Sequence, residues 1–144
     1  MSTSDAERIV RFFARLAGPP GLTARSRYMT LSDRQFEFAK DMVLLEQYCI
    51  NCGLKFTYGE AYRTDYQHAE NVRNGISKAT RSKHQDRLAK DLNFFIDGVS
   101  IYSMPNDQVR RELQHVGDFW EAIREGNIWG GNWTDPFDPA HFQS

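Results

Sequence analysis

Apolar residues recur at helical spacing in two long segments of the chain. The first segment follows a capping-box pattern formed by Ser32 and Gln35 and ends before Gly53. Its apolar face is predicted to consist of Phe36, Ala39, Val43 and Ile50. The second segment spans residues 105–125, and its stripe is Val109, Leu113, Val116, Trp120 and Ile123. We expect both segments to be helices of one main domain.

Strand patterns lie between these helices. Residues 55–62 are rich in aromatic residues and predict a strand that ends beside Arg63, while residues 88–96 predict a second strand. Asp97 and Gly98 then predict a tight hairpin turn. Thr64 is predicted to cap a short helix that ends at residues 74–75. This order predicts a single-domain α+β fold, with a small, mostly antiparallel sheet flanked by helices.

Residues 1–28 differ from the rest of the chain. Ser4 and Glu7 form a second capping-box pattern, which predicts a short amphipathic helix. Its apolar residues are Ile9, Phe12, Phe13 and Leu16, and the segment carries the arginines Arg8, Arg11, Arg15, Arg25 and Arg27. We interpret it as a basic extension that packs on the domain or is dispensable, in preference to one that attaches to an anionic membrane. Residues 29–144 form the main domain.

Composition narrows the classes of function. The chain has 144 residues, of which 40% are hydrophobic, and this suits one globular domain. A net charge of −1 does not favour a nucleic-acid partner. No apolar run approaches the roughly 18 residues of a membrane span, and no secretory signal pattern is present. We therefore expect a monomer without stable membrane insertion.

The candidate chemistry centres on a charge placed inside an apolar strand. Asp91 interrupts the apolar run of residues 88–96, and a buried carboxylate must be paired or bound to a metal. His84 lies seven residues earlier, so the two could share a metal site. Alternatively, Asp91 could form an ordinary ion pair with Arg87 or Lys90.

The remaining potential ligands have simpler interpretations. His68 lies in a polar helical stretch and His115 in the late helix, and neither has a suitably spaced companion. Cys49 and Cys52 have the CxxC spacing of a redox pair or half a zinc site, but there is no second cysteine pair. We interpret both as packing cysteines.

Several ordered motifs resemble the zinc peptidase family of D-alanyl-D-alanine carboxypeptidases and phage L-alanyl-D-glutamate endopeptidases. That family has the signature SxHxxGxAxD, followed much later by D/E-x-x-H. The matching residues are Ser82, His84, Ala89, Asp91, Asp138 and His141, and Arg63 matches the arginine that follows the family's first strand. The segment from Trp129 to Trp133 resembles the endolysin branch. Arg87 departs from the signature, which has glycine at this position.

The resemblance implies a role for each residue. His84, Asp91 and His141 would bind Zn²⁺ and leave one coordination position open for water, as catalytic zinc sites do. Asp138 would be the general base, with Asp135 as its nearest competitor. Arg63 would stabilise the oxyanion or hold a substrate carboxylate. Ser82 would donate a hydrogen bond to the substrate, or serve only as a turn residue.

The implied function is a zinc-dependent peptidase acting on peptidoglycan stem peptides. By resemblance, the cleaved bond joins L-alanine to D-glutamate, as in a phage or prophage endolysin. Such an enzyme is made in the host bacterial cytoplasm and reaches the periplasmic cell wall through a separate pore. The alternatives are a D-alanyl-D-alanine carboxypeptidase or dipeptidase, and a non-catalytic relative that binds peptidoglycan.

Overall fold

The computed structural model of the protein describes residues 29–144 together with Arg8 and Arg11. Apart from these two arginines, the predicted extension of residues 1–28 lies outside the described residues. The helices are α1 (Leu31–Asn51), α2 (Asp65–Arg73) and α3 (Asn106–Ile123). The strands are β1 (Lys55–Tyr58), β2 (Ala89–Ile96), β3 (Val99–Ser100), β4 (Ile128–Trp129) and β5 (His141–Gln143). Short 3₁₀ turns occupy Ile101–Ser103 and Gly130–Asn132.

One antiparallel sheet carries the five strands. Its order is β1-β2-β5-β4, and β3 pairs with β2 outside this path. In the pairing of β2 with β5, Asp91 lies directly opposite His141. The predicted α+β fold is confirmed. Strands β4 and β5 were not predicted, because two or three residues are too few to show an alternating pattern.

The predicted turns agree with the structure in two places. Asp97 and Gly98 both have positive φ, at 49° and 80°, as a two-residue hairpin turn requires. Thr64 caps α2, because its hydroxyl accepts a hydrogen bond from the backbone N–H of Gln67 at 3.1 Å. Strand β1 is shorter than predicted, since it ends at Tyr58. Residues 59–63 therefore form a loop, with Arg63 at its end.

Helix α1 begins earlier than its sequence pattern indicated. Thr30, not Ser32, is the N-cap residue, and Asp33, not Gln35, completes the capping box. The backbone N–H of Asp33 donates to the Thr30 hydroxyl at 3.2 Å, and the backbone N–H of Thr30 donates to the Asp33 carboxylate at 2.9 Å. A shorter acidic side chain thus performs the role expected of Gln35.

The predicted apolar face of α1 is wrong. Phe36, Ala39, Val43 and Ile50 are all exposed. The helix instead buries Phe38, Asp41, Met42, Leu45, Tyr48 and Cys49. Asp41 is only 2% exposed and accepts hydrogen bonds from Arg124 at 2.7 and 2.9 Å and from Asn127 at 3.2 Å. The buried face was not recognised because it contains the charged residue Asp41. The partner of Asp41, Arg124, lies far away in the sequence.

The core lies between α1, α3 and one face of the sheet. The predicted stripe of α3 is buried from Val109 to Trp120, and Ile123 packs against it. Tyr48 of α1 stacks on Phe119 of α3, with ring centroids 4.1 Å apart. The hydroxyl of Tyr48 lies 2.8 Å from Nδ1 of His115, so this imidazole has a structural partner.

The interpretation of both residues as packing cysteines holds for Cys49, which lies in the core, and is wrong for Cys52. Cys49 is buried and Cys52 is exposed at the end of α1, and both are free thiols. Burial, with a contribution from Cys52, raises the pKa of the Cys49 thiol to about 12, which disfavours the reactive thiolate. Across residues 29–144, none of the helices is long and apolar enough to cross a membrane.

Candidate active site

Three predicted ligands converge at the junction of β2 and β5. His84 lies in the turn before β2, Asp91 in β2, and His141 at the start of β5. The atoms that face one another are His84 Nε2, Asp91 Oδ1 and His141 Nδ1. Their separations are 3.2 Å between the imidazoles, 3.3 Å from His84 to Asp91, and 3.2 Å from His141 to Asp91. The three atoms form a nearly equilateral triangle.

The triangle has the dimensions of one face of a zinc coordination tetrahedron. With ligand bonds of about 2.0–2.1 Å, a regular tetrahedron has edges of about 3.3–3.4 Å. Among the described residues, His84, Asp91 and His141 form the one group of histidine, cysteine or acidic side chains whose ligand atoms lie close enough together to hold a metal ion. The donor set of two imidazoles and one carboxylate fits zinc and leaves a fourth position for water.

The hydrogen bonds of His141 prepare it as a ligand. Its Nε2 lies 2.9 Å from Oε1 of Gln143, so Nε2 carries the proton and donates to this oxygen. The lone pair is therefore on Nδ1, which points at His84 and Asp91. Such a partner orients a metal-binding imidazole and fixes its tautomer. His84 Nδ1 is buried without a hydrogen-bond partner among the described residues, so Nε2 is its interacting nitrogen.

Electrostatics at the triangle favour a cation. Burial opposes ionisation of Asp91, yet hydrogen bonds to His141 and His84 lower its pKa to about 2. Burial likewise opposes the charged form of His141, but Asp91, Gln143 and Asp138 together raise its pKa. The Asp91 carboxylate is therefore ionised near neutral pH and supplies negative charge where the three ligand atoms meet.

The alternative of an ordinary ion pair for Asp91 does not occur. Lys90 pairs instead with Glu46 of α1 at 2.7 Å. The guanidinium of Arg87 stacks over the ring of Tyr62, 4.0 Å from its centroid. The partners of Asp91 are the two imidazoles.

Asp138 is close to this triangle, whereas Asp135 is not. Burial raises the pKa of Asp138, and the charges of His141, Asp91 and His84 also act on it. A carboxyl group with a raised pKa suits proton transfer near neutral pH. Asp135 is exposed and pairs with Lys78 at 3.1 Å. The arrangement favours Asp138 as the base.

Arg63 is held beside His84. Its backbone N–H donates to the carbonyl of His84 at 3.2 Å. Its guanidinium donates to Glu60 from Nε, at 2.9 and 3.1 Å, and from Nη2. Oε2 of Glu60 lies 3.8 Å from His84 Nε2, so this carboxylate also borders the triangle. Sequence reasoning missed Glu60, although its position three residues before Arg63 could have indicated it.

Ser82 has a local partner in the turn that holds His84. Its hydroxyl accepts a hydrogen bond from the backbone N–H of His84 at 3.3 Å, and its own backbone N–H donates to Gln85 at 2.8 Å. This is the turn role that was the alternative interpretation. A contact between Ser82 and substrate stays a prediction.

Comparison with known proteins finds two similarities. A family model described as D-alanyl-D-alanine carboxypeptidase matches residues 76–144, a segment that contains all three ligands and Asp138. Residues 76–144 are therefore similar to this peptidase family. The crystal structure of the Serratia marcescens L-Ala D-Glu endopeptidase ChiX is similar, with 27% identity and a TM-score of 0.58. That match covers 85% of this chain and 87% of that chain. No curated protein gives a significant match.

The segment from Trp129 to Trp133 packs against Asp138 and His141. A Cβ on Gly130 would lie 2.3 Å from the carbonyl oxygen of Asp138, so only glycine fits there. The indole N–H of Trp129 donates to the carbonyl of Pro139 at 2.9 Å. The ring of Trp133 lies 5.2 Å from that of His141. These contacts fix the backbone between the base and the ligand.

Two further side chains near the site were missed by sequence reasoning. His68 is buried, although its helix is polar, and its Nε2 lies 3.0 Å from the carbonyl of Ala79. Tyr102 is largely exposed, and its hydroxyl donates to Asn93 at 2.9 Å. Partial burial, then Asp138 and Asp91, raise the pKa of Tyr102, which places this phenol near the carboxylates of the site.

Arg87 keeps the backbone conformation of the glycine that the family signature has at this position. Its φ is 55°, in the left-handed region that favours glycine. Its backbone N–H donates to the carbonyl of His84 at 3.2 Å, so the turn after this ligand is closed. The turn therefore holds a non-glycine residue at positive φ. Stacking of Arg87 on Tyr62 compensates part of the conformational cost.

We predict that His84→Ala and His141→Ala each lower zinc affinity by more than about 100-fold, since even a lost partner of a ligand costs 10- to 100-fold. The measurement is metal content by plasma mass spectrometry after dialysis against a weak chelator. His115→Ala is the matched control, because its imidazole contacts Tyr48 in the core, and it should retain zinc. A fully zinc-loaded and active His141→Ala protein would refute the ligand assignment.

We also predict that Arg87→Gly is more stable than Arg87→Ala by about 1 kcal/mol, since both lose the side chain but only alanine keeps the left-handed strain. Urea unfolding of the two zinc-loaded variants measures the difference. Both should bind zinc as the wild type does. Equal stabilities would show that residue 87 does not hold a positive φ.

Proposed function

We propose that the protein is a zinc-dependent peptidase that hydrolyses stem peptides of peptidoglycan. The observation that carries this proposal is the triangle of His84 Nε2, Asp91 Oδ1 and His141 Nδ1, whose edges of 3.2–3.3 Å match a zinc tetrahedron. The match of residues 76–144 to the carboxypeptidase family model and the similarity to an L-Ala D-Glu endopeptidase support the substrate class.

The neighbouring side chains suit hydrolysis of an amide bond. Zinc, when bound, supplies a Lewis acid and lowers the pKa of a water molecule to about 7. Asp138 accepts the proton of the attacking water and passes it to the leaving amine. Arg63 donates hydrogen bonds to the carbonyl oxygen as negative charge develops there. The partial burial of Asp138 raises its pKa, which favours its acting as a proton acceptor.

We propose the bond between L-alanine and D-glutamate as the site of cleavage. The similarity to the Serratia marcescens endopeptidase extends over 85% of this chain, including the region of Arg63, which the family model does not reach. The second candidate is removal of the terminal D-alanine, since the matching family model carries the description of a carboxypeptidase. Both reactions use the same site on different bonds.

We further propose that the protein is a phage or prophage endolysin. It would be made in the bacterial cytoplasm and act on the periplasmic cell wall after release by a separate pore. The support is the segment from Trp129 to Trp133, which resembles the endolysin branch and packs against Asp138 and His141.

Digestion of purified peptidoglycan tests the reaction. We expect the zinc-loaded protein to release the stem peptide beyond L-alanine, with L-alanine left on the muramic acid, as mass spectrometry of the products would show. Asp138→Ala should bind zinc normally but lose at least about 100-fold in turnover, the contribution of a general base. Loss of terminal D-alanine alone would assign the carboxypeptidase reaction. Zinc binding with no product from the wild type would refute enzymatic activity.

Expression in Escherichia coli tests the place of action. We expect producing cells to stay intact until chloroform permeabilises the inner membrane, and then to lyse within minutes. Cells producing Asp138→Ala at the same level should not lyse, because the cell wall is not cut. Lysis before permeabilisation would contradict the need for a separate pore.

A further inference from the structure

Two side chains hold the guanidinium of Arg63 from different sides. Glu60 accepts hydrogen bonds from Nε and Nη2, along one edge of the planar group. His68 Nδ1 lies 3.5 Å from Nη1, on the other terminal nitrogen. The backbone of Arg63 is fixed as well, because its N–H donates to the carbonyl of His84. The position of this guanidinium relative to the metal ligands is therefore constrained at several points.

The donors of Arg63 can be accounted for one by one. A guanidinium has five N–H groups in a rigid plane. Glu60 takes the Nε–H and one Nη2–H, and His68 takes one Nη1–H. One N–H on Nη1 and one on Nη2 are left without a partner among the described residues. Two donors on adjacent nitrogens suit a carboxylate or a developing oxyanion.

The hydrogen bonds of His68 determine which of its nitrogens can accept. Its Nε2 lies 3.0 Å from the carbonyl oxygen of Ala79, which can only accept, so Nε2 carries the proton. Nδ1 then has the lone pair that faces Arg63. His68 is also the one buried residue of α2. A single imidazole thus joins this helix, the loop at Ala79 and Arg63.

We propose that Glu60 and His68 are positioning residues that orient Arg63 and leave its two remaining N–H groups for the substrate. Neither residue touches the substrate. The pairing with Glu60 also offsets the charge of Arg63, so that the arginine acts on the substrate mainly through directed hydrogen bonds. This inference rests on the proposed peptidase function. It implies that the orientation of Arg63 determines which oxygen atom of the substrate receives its hydrogen bonds.

Two substitutions of His68 separate the proposed role from a merely structural one. His68→Asn places an amide near Nδ1 and keeps an acceptor for Arg63, whereas His68→Gln places an amide near Nε2 and keeps a donor for Ala79. We expect kcat/KM for stem-peptide cleavage to fall about tenfold in His68→Gln, the scale of one lost hydrogen bond to a charged group, and to stay within about threefold in His68→Asn. Zinc content should not change. The opposite pattern would overturn the proposal.

Glu60→Gln tests the second contact, with Glu70→Gln as the matched control. Glu70 and Arg73 form an ion pair of the same i,i+3 spacing on the exposed side of α2. We expect Glu60→Gln to lower kcat/KM by about tenfold and Glu70→Gln to leave it unchanged. In an Arg63→Ala background, Glu60→Gln should change kcat/KM less than twofold, since the two residues act as a unit. An equal loss in both backgrounds would refute action through Arg63.

NMR spectroscopy tests the contacts of Arg63 with His68 and Glu60 without a measurement of catalytic activity. Nitrogen NMR of the zinc-loaded wild type should show His68 as the neutral tautomer protonated at Nε2. The Nε–H resonance of Arg63 should be protected from solvent exchange, and Glu60→Gln should remove much of this protection. A His68 protonated at Nδ1 could not accept from Arg63 and would overturn the proposal. If the wild type cleaves no stem peptide, the proposed function fails, while these spectra still test the contacts.

Discussion

The site depends on the register between β2 and β5, in which Asp91 lies opposite His141. Successive residues of a strand face opposite sides of a sheet, so a shift of one residue would turn His141 into the core. Apolar neighbours prevent such a shift, since Leu92 and Phe142 are completely buried on the other side of the same strands. Packing of the core therefore sets the geometry of the ligands.

Close contacts around this pair leave little freedom for rearrangement. A Cβ on Gly59 would lie 2.9 Å from Cβ of Asp91, and the backbone N–H of Asp91 donates to the carbonyl of Glu60 at 2.8 Å. The loop that carries Glu60 and Arg63 is thus attached directly to a ligand strand. Asp91, Glu60 and Arg63 are thus held together by the backbone, which suits a site that must be preorganised for its reaction.

The resemblance to family motifs implied the ligand set, and the structure brings its three side chains together, whereas the packing could not be predicted from sequence. In α1, two stripes of apolar residues have helical spacing, and the buried stripe includes Asp41, whose partner Arg124 is 83 residues away. The burial of His68 could not be predicted for the same reason, since its partners Arg63 and Ala79 come from other segments. Local patterns do not reveal polar groups that are satisfied by distant residues.

The position of β5 in the chain determines when hydrolytic chemistry becomes available. His84 and Asp91 are synthesised early, but Asp138 and His141 follow every helix and every other strand that the structure describes. A nascent chain that has not yet released β5 from the ribosome holds two of the three proposed ligands and lacks the proposed base. The proposed site is therefore completed only as β5 inserts between β2 and β4, after the rest of the described fold can already have formed.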